Sequence, residues 1–135
     1  MNIEYYSDDK YKYSTALMFD YINLCKPKKN KLNLYDLKFN LEYNCWENNF
    51  RPLDVLNDIT NEKYKNEVSR IKKSNIKYPI ILDSDYNILD GVHRYVKHII
   101  ENKKTINVYI FDKTIMKKFI IGNRNEENKL EINDL

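Results

Sequence analysis

Glycine is almost missing from this chain: Gly91 and Gly122 are the only two among 135 residues. A glycine in so poor a background marks a place where the backbone asks for something other residues cannot give. Cysteine is equally scarce. Cys25 and Cys45 lie too far apart for a Cys-x-x-Cys pair, and the two histidines, His93 and His98, do not cluster with them. A zinc site built from such residues is therefore not expected. No apolar run approaches the roughly 20 residues that span a bilayer. The N-terminus is polar and carries no secretory pattern, so we expect a soluble, cytoplasmic protein with both thiols free. An excess charge of one sign is also lacking: 23 basic residues against 20 acidic give a net +3. That balance falls short of a strongly basic nucleic-acid footprint but is compatible with a nucleotide or other anionic ligand.

What is present argues for a folded chain. Hydrophobic residues make up 42%, with twelve tyrosines and five phenylalanines. The length suits one domain with one core. We expect a compact α/β (α+β) fold. Residues 1–31 read as an N-terminal helical extension, 32–121 as the domain, and 122–135 as a charged tail.

Element signals follow the usual periodicities. "STALMFDYINLC" predicts a helix capped by Ser14, with Leu17, Tyr21 and Leu24 on one stripe, ended by Pro27 and a lysine-rich linker. Leu32, Leu34, Leu37, Phe39 and Leu41 alternate with polar residues, which predicts a strand or two. Pro52 marks a loop. "NEKYKNEVSRIKKSNI" predicts an amphipathic helix with Tyr64, Val68 and Ile71 inward. "YPIIL" and "ILD" predict a hairpin, "VHRYVKHIIENK" a helix and "TINVYIF" a strand; "KTIMKKFII" fits either state.

The sharpest local signal is Asp90-Gly91-Val92-His93-Arg94, where a strand passes directly into a helix. Asp90 can cap that helix, or contact a metal or substrate. The first amide groups of the helix, with the dipole behind them, suit a phosphate. At about 100° per residue, His93, Arg94, Lys97, His98 and Glu101 share one arc. Tyr95, Val96, Ile99 and Ile100 take the other and face the core. Histidine and the forked guanidinium both suit phosphate oxygens. A simple turn with a solvated His-Arg pair uses the same residues, and His98 reads as a surface histidine.

These residues carry a family resemblance. Tyr78, Pro79, Ile80, Ile81 and Leu82, then Asp90, Gly91, His93, Arg94 and Lys97, then Ile106 and Val108, resemble the ParB/sulfiredoxin superfamily and its small proteins with an Asp-Gly-x-His-Arg turn. The upstream "NCWE" also resembles a stretch found before the helix in such proteins. The resemblance covers approximately residues 32 to 111, and implies a single-domain ParB/sulfiredoxin-like fold, a small mixed sheet with flanking helices, whose Gly-x-His-Arg turn and helix N-terminus bind nucleotide phosphates. Gly91, Val92, His93, Arg94 and Lys97 would then form the phosphate site. Sulfiredoxins use ATP there, ParB partition proteins CTP, and a free serine kinase carries the same turn. The sulfiredoxin nucleophile is a cysteine at the position of Val92, so that chemistry is excluded here.

Three functions follow from the resemblance. The first is an ATP-like nucleotide-binding protein with kinase-like transfer, or ATPase activity, on a small hydroxyl substrate, and Mg2+ as the usual companion of such chemistry. The second is a noncatalytic nucleotide-sensing or DNA-associated regulatory module. The third is a ParB-like nuclease. A base for the first could come from Glu47 or Glu42 near Trp46, although such glutamates are more often surface residues; Asp90 is a catalytic candidate through metal or substrate, and equally at home as a cap. Trp46 either lines a substrate or base pocket or packs in the core, and Arg51 either binds phosphate or is solvated.

Overall fold

Leu34, Leu37 and Asn40 are all buried, at a spacing of three that belongs to a 3-10 helix rather than a strand. The computed structural model describes residues 4–124. In chain order its elements are β1 (Tyr5–Ser7), β2 (Tyr11–Ser14), α1 (Thr15–Cys25) and β3 (Asn30–Asn33), followed by the 3-10 helix Leu34–Glu42. Then come α2 (Pro52–Asn57), α3 (Lys65–Lys73), β4 (Ile80–Asp83), β5 (Ile88–Asp90) and α4 (Val92–Ile100). The last are β6 (Thr105–Phe111), α5 (Lys113–Met116) and β7 (Ile120–Asn123). The protein is therefore α+β, but with two sheets, β1-β2-β7 and β3-β6-β4-β5, in place of the single sheet expected.

Contacts divide the chain into two units. One joins the residues up to Lys28 with those from Phe111 onward; the other is Lys29–Ile110. In the first, β2 lies between β1 and β7, antiparallel to both. The N-terminal segment is thus more than a helical extension: it supplies two strands of a sheet that the C-terminal β7 completes. Gly122 belongs to β7 rather than to the charged tail, whose residues beyond Arg124 lie outside those described. Ser14 caps α1, accepting the Leu17 amide at 3.2 Å. The stripe differs from expectation, because Met18 is buried while Leu24 is exposed. Tyr21 stands edge-on to Phe111 and Phe119, at 5.5 and 5.8 Å between ring centroids.

The β1-β2 turn is organised by Asp8. Its carboxylate accepts the amides of Lys10 (2.8 Å) and Tyr11 (2.7 Å) and the Tyr13 hydroxyl (2.6 Å). Partial burial pushes the Asp8 pKa up, but these hydrogen bonds outweigh it and hold the carboxyl below the usual value of 3.8.

The second unit carries the predicted hairpin, in which Ile81 pairs with Asp90 and Leu82 with Ile88, and β3 runs antiparallel along β6. Two apolar clusters fill it. One joins Leu34, Leu37, Ile80, Leu82, Tyr95 and Val108; the other joins Trp46, Val55, Tyr64, Ile71 and Val96. Leu41 and Val92 touch both. Pro52 starts α2, where its missing N–H costs nothing, rather than marking a loop. Asn40 ties the 3-10 helix to the hairpin: its amide donates to the Leu37 and Tyr86 carbonyls at 2.9 and 3.0 Å, and its oxygen accepts the Ile88 amide at 2.9 Å.

Two stability measurements check this account. Asn40→Ala abandons three hydrogen bonds, two buried and one partly buried, and should lower unfolding free energy by about 3 kcal/mol in a denaturant titration. Asp8→Ala should cost about 1 kcal/mol at pH 7. Because the folded carboxyl titrates below its unfolded value, the stabilisation is complete above pH 3.8 and is lost as pH falls through the folded pKa. The gap between wild type and Asp8→Ala should therefore close in acid; a constant gap would contradict the assignment.

Candidate functional site

The β5-to-α4 junction is built around Gly91. Its φ of +109° and ψ of 24° suit glycine, and a Cβ there would lie 2.5 Å from Ile80 Cγ2. Gly91 is the N-cap of α4, with no side-chain cap, so Asp90 does not take the capping role. Instead the Asp90 carboxylate accepts an N–H from the Arg94 guanidinium at 2.5 Å. Arg94 also donates to the Pro79 carbonyl at 3.1 Å. Strand, turn and helix are thereby clamped together. Three of the five guanidinium hydrogens remain for other partners.

Lys97 is held by α3. Its ammonium donates to the carbonyls of Lys72 and Ser74, both at 2.8 Å, at the C-terminal end of α3, where a cation is favoured. His98 is buried rather than on the surface, hydrogen-bonded through Nδ1 with the Arg94 carbonyl at 2.7 Å. Ile100, expected inward, is exposed. The arc is rotated because the helix packs on both apolar clusters, through Tyr95 and Val96.

His93 has the most organised surroundings. Its Nε2 lies 2.7 Å from Glu67 Oε2, and its ring stacks on Trp46 with centroids 4.6 Å apart and planes 12° from parallel. Glu67, on α3, is only 2% exposed. Its other oxygen makes no hydrogen bond and lies 3.5 Å from an Arg70 nitrogen; Arg70 also donates to Glu47 at 3.1 Å. The indole N–H of Trp46 is buried without a hydrogen-bond partner. Trp46 thus packs in the second apolar cluster and also forms one wall of the histidine's surroundings.

The structure brings together Trp46, Glu47 and His93 through Glu67 and Arg70, and separately Asp90, Gly91 and Arg94. Arg51 forms a bidentate pair with Asp54 (3.0 and 2.6 Å), which pushes its pKa up through hydrogen bonding and charge. Glu42 acts on Arg51 only as a nearby charge. Among the described residues neither hydrogen-bonds to the histidine.

Glu67 and Arg70 were missed in the sequence, although a signal existed. Residues 64, 67, 68 and 71 follow the i, i+3, i+4, i+7 pattern of one helix face. A carboxylate on that inward stripe asks for a buried partner. Cys45 lies in an exposed residue position, yet desolvation of its thiol pushes the pKa up to about 11, with the Glu67 charge adding to the effect. It stays protonated at neutral pH and is a poor nucleophile. Among the described residues no group of three or more His, Cys, Asp or Glu side chains could hold a metal, and no helix is long and apolar enough to cross a membrane. A separate groove of about 400 Å³ is lined by Lys65, Lys72, Lys73 and Glu62 over Ile59 and Val68, with Glu62 paired to Lys65 at 3.1 Å.

Gly91→Ala should cost about 2–4 kcal/mol, combining the strained φ with overlap on Ile80. Calorimetric unfolding measures it, and a cost within error of zero would show that the junction relaxes freely.

No protein-family model, no curated protein and no solved structure matches the chain.

Proposed function

We propose that this chain binds an ATP-like nucleotide through its phosphates at the start of α4, and that it transfers the terminal phosphoryl group to a small hydroxyl substrate. The observation that carries this reading is the uncapped, glycine-started helix with a rigidly held histidine in its first turn. Amides left without side-chain partners and the positive end of the helix dipole favour an anion there. The resemblance of the Asp-Gly-Val-His-Arg turn to the ParB/sulfiredoxin superfamily supports the same ligand. With valine at position 92, no sulfur nucleophile is available at the turn.

The residues serve this function in different ways. Gly91 lets the backbone approach the ligand, His93 faces the phosphates with its ring held from behind, and Arg94 fixes the turn through Asp90 while keeping donors to spare. Mg2+ fits as a passenger of the nucleotide rather than in a protein cage, since it needs only one or two carboxylates besides phosphate oxygens. Asp90 is the nearest in sequence to the turn.

A second reading rests on the lysine-lined groove of α3. It favours a DNA-associated regulatory module, with Lys72 and Lys73, and Lys65 on leaving Glu62, meeting backbone phosphates.

Isothermal titration with ATP, ADP and CTP tests the first reading, with Trp46 emission as an independent signal. We expect saturable binding to the wild type and at least about tenfold weaker binding, roughly 1.4 kcal/mol, for His93→Gln. No binding of any nucleotide would sink it. For the second, duplex DNA should be retained at low salt, released as salt rises, and lost on changing the three lysines to glutamate. Retention that ignores those changes would remove the groove from consideration.

A further inference from the structure

We infer that His93 is the general base of the transfer and that Glu67 is the positioning residue that makes it one; this rests on the proposed nucleotide site. None of the carboxylates expected from the sequence is suited to the role. Asp90 is committed to Arg94, Glu47 to Arg70, and Glu42 is exposed with no hydrogen bond to His93 or Arg94 among the described residues. Glu67 is itself too deeply buried to reach a substrate.

The geometry divides the imidazole between two tasks. Nε2 faces Glu67 Oε2 at 2.7 Å, and we assign the single proton of the ring to that nitrogen, where it would be donated to the carboxylate. Nδ1 is then the nitrogen with the free lone pair, and no hydrogen bond to it occurs among the described residues. The ring cannot swing away, because Trp46 covers one face at a stacking distance and the side chain is only 27% exposed. The charged and titratable groups around the pair are Glu67 and Arg70 on α3, Glu47 beyond Arg70, and Cys45 beside Glu67. A buried carboxylate behind a histidine both selects the tautomer and stabilises the imidazolium formed when the ring accepts a proton.

The step balances without a further reactant. Nδ1 takes the proton of the attacking hydroxyl as its oxygen bonds to the γ-phosphorus of ATP. The bond from that phosphorus to the bridging oxygen breaks, and its electron pair leaves with ADP. The imidazolium then releases its proton to solvent. Water takes the acceptor's place when no other hydroxyl is bound, and the product is inorganic phosphate.

The test follows phosphate release from γ-labelled ATP with Mg2+, beside nitrogen NMR of the imidazole in the ligand-free protein. Wild type should show the Nε2–H tautomer of His93. Glu67→Gln, which keeps the shape but loses the charge, should lower kcat by about a hundredfold with KM little changed, the scale of a lost acid–base contribution. His93→Gln should lose release to the same extent or more while still folding, because its amide can donate to Glu67. Glu67→Asp should recover part of the rate. An Nδ1–H tautomer in wild type, unchanged kcat in Glu67→Gln, or nucleotide binding with no phosphate release would each overturn the inference and leave nucleotide binding standing. Absence of ATP binding by wild type would instead overturn the function on which it rests.

Discussion

The second unit depends on one close approach, the passage of Gly91 over the Ile80 side chain. With 2.5 Å between a hypothetical Cβ and Ile80 Cγ2, no other residue fits without displacing the strand. That contact lets β5 turn directly into α4 and seats the helix against β4. Its consequences spread through the fold. Val92 wedges between the two apolar clusters, Arg94 reaches back to Asp90 and Pro79, and His93 emerges toward α3.

Charge is handled differently on the two sides of the junction. The Asp90–Arg94 pair is partly buried and lies within one turn of helix, so its geometry is set locally. The Glu67–His93 pair joins two helices and buries a carboxylate almost completely. Desolvating such a group is expensive, and the cost is offset only by good hydrogen-bonding geometry. The neighbouring Arg70–Glu47 contact is exposed, where ion pairs contribute little. Most of the electrostatic investment therefore sits at His93.

Much of the second unit was legible in the sequence. The hairpin, α4 and β6 announced themselves through β-branched runs, turn residues and a glycine at the strand-helix boundary. The stretch from Leu32 to Leu41 misled, because alternating leucines suggest a strand when read two at a time. The chain resolves the ambiguity by burying Asn40 with Leu34 and Leu37, and period three wins once three hydrogen bonds depend on that asparagine. The first unit was harder to read, since β2 is stabilised by β7 more than a hundred residues later.

The sequence by itself determined where the distinctive turn lies, which residues flank it and that a valine, not a nucleophile, stands at position 92. These are properties of residue type and local spacing, and they survive any packing arrangement. Tertiary structure alone decided the long-range pairings of the polar residues. Lys97 looks like a phosphate ligand beside Arg94 on a helical wheel, but it closes the end of α3. Glu67 looks like one more solvated charge until α3 packs on α4 and turns it inward to His93. Pairing of this kind depends on the distance between elements far apart in sequence, which no local pattern encodes.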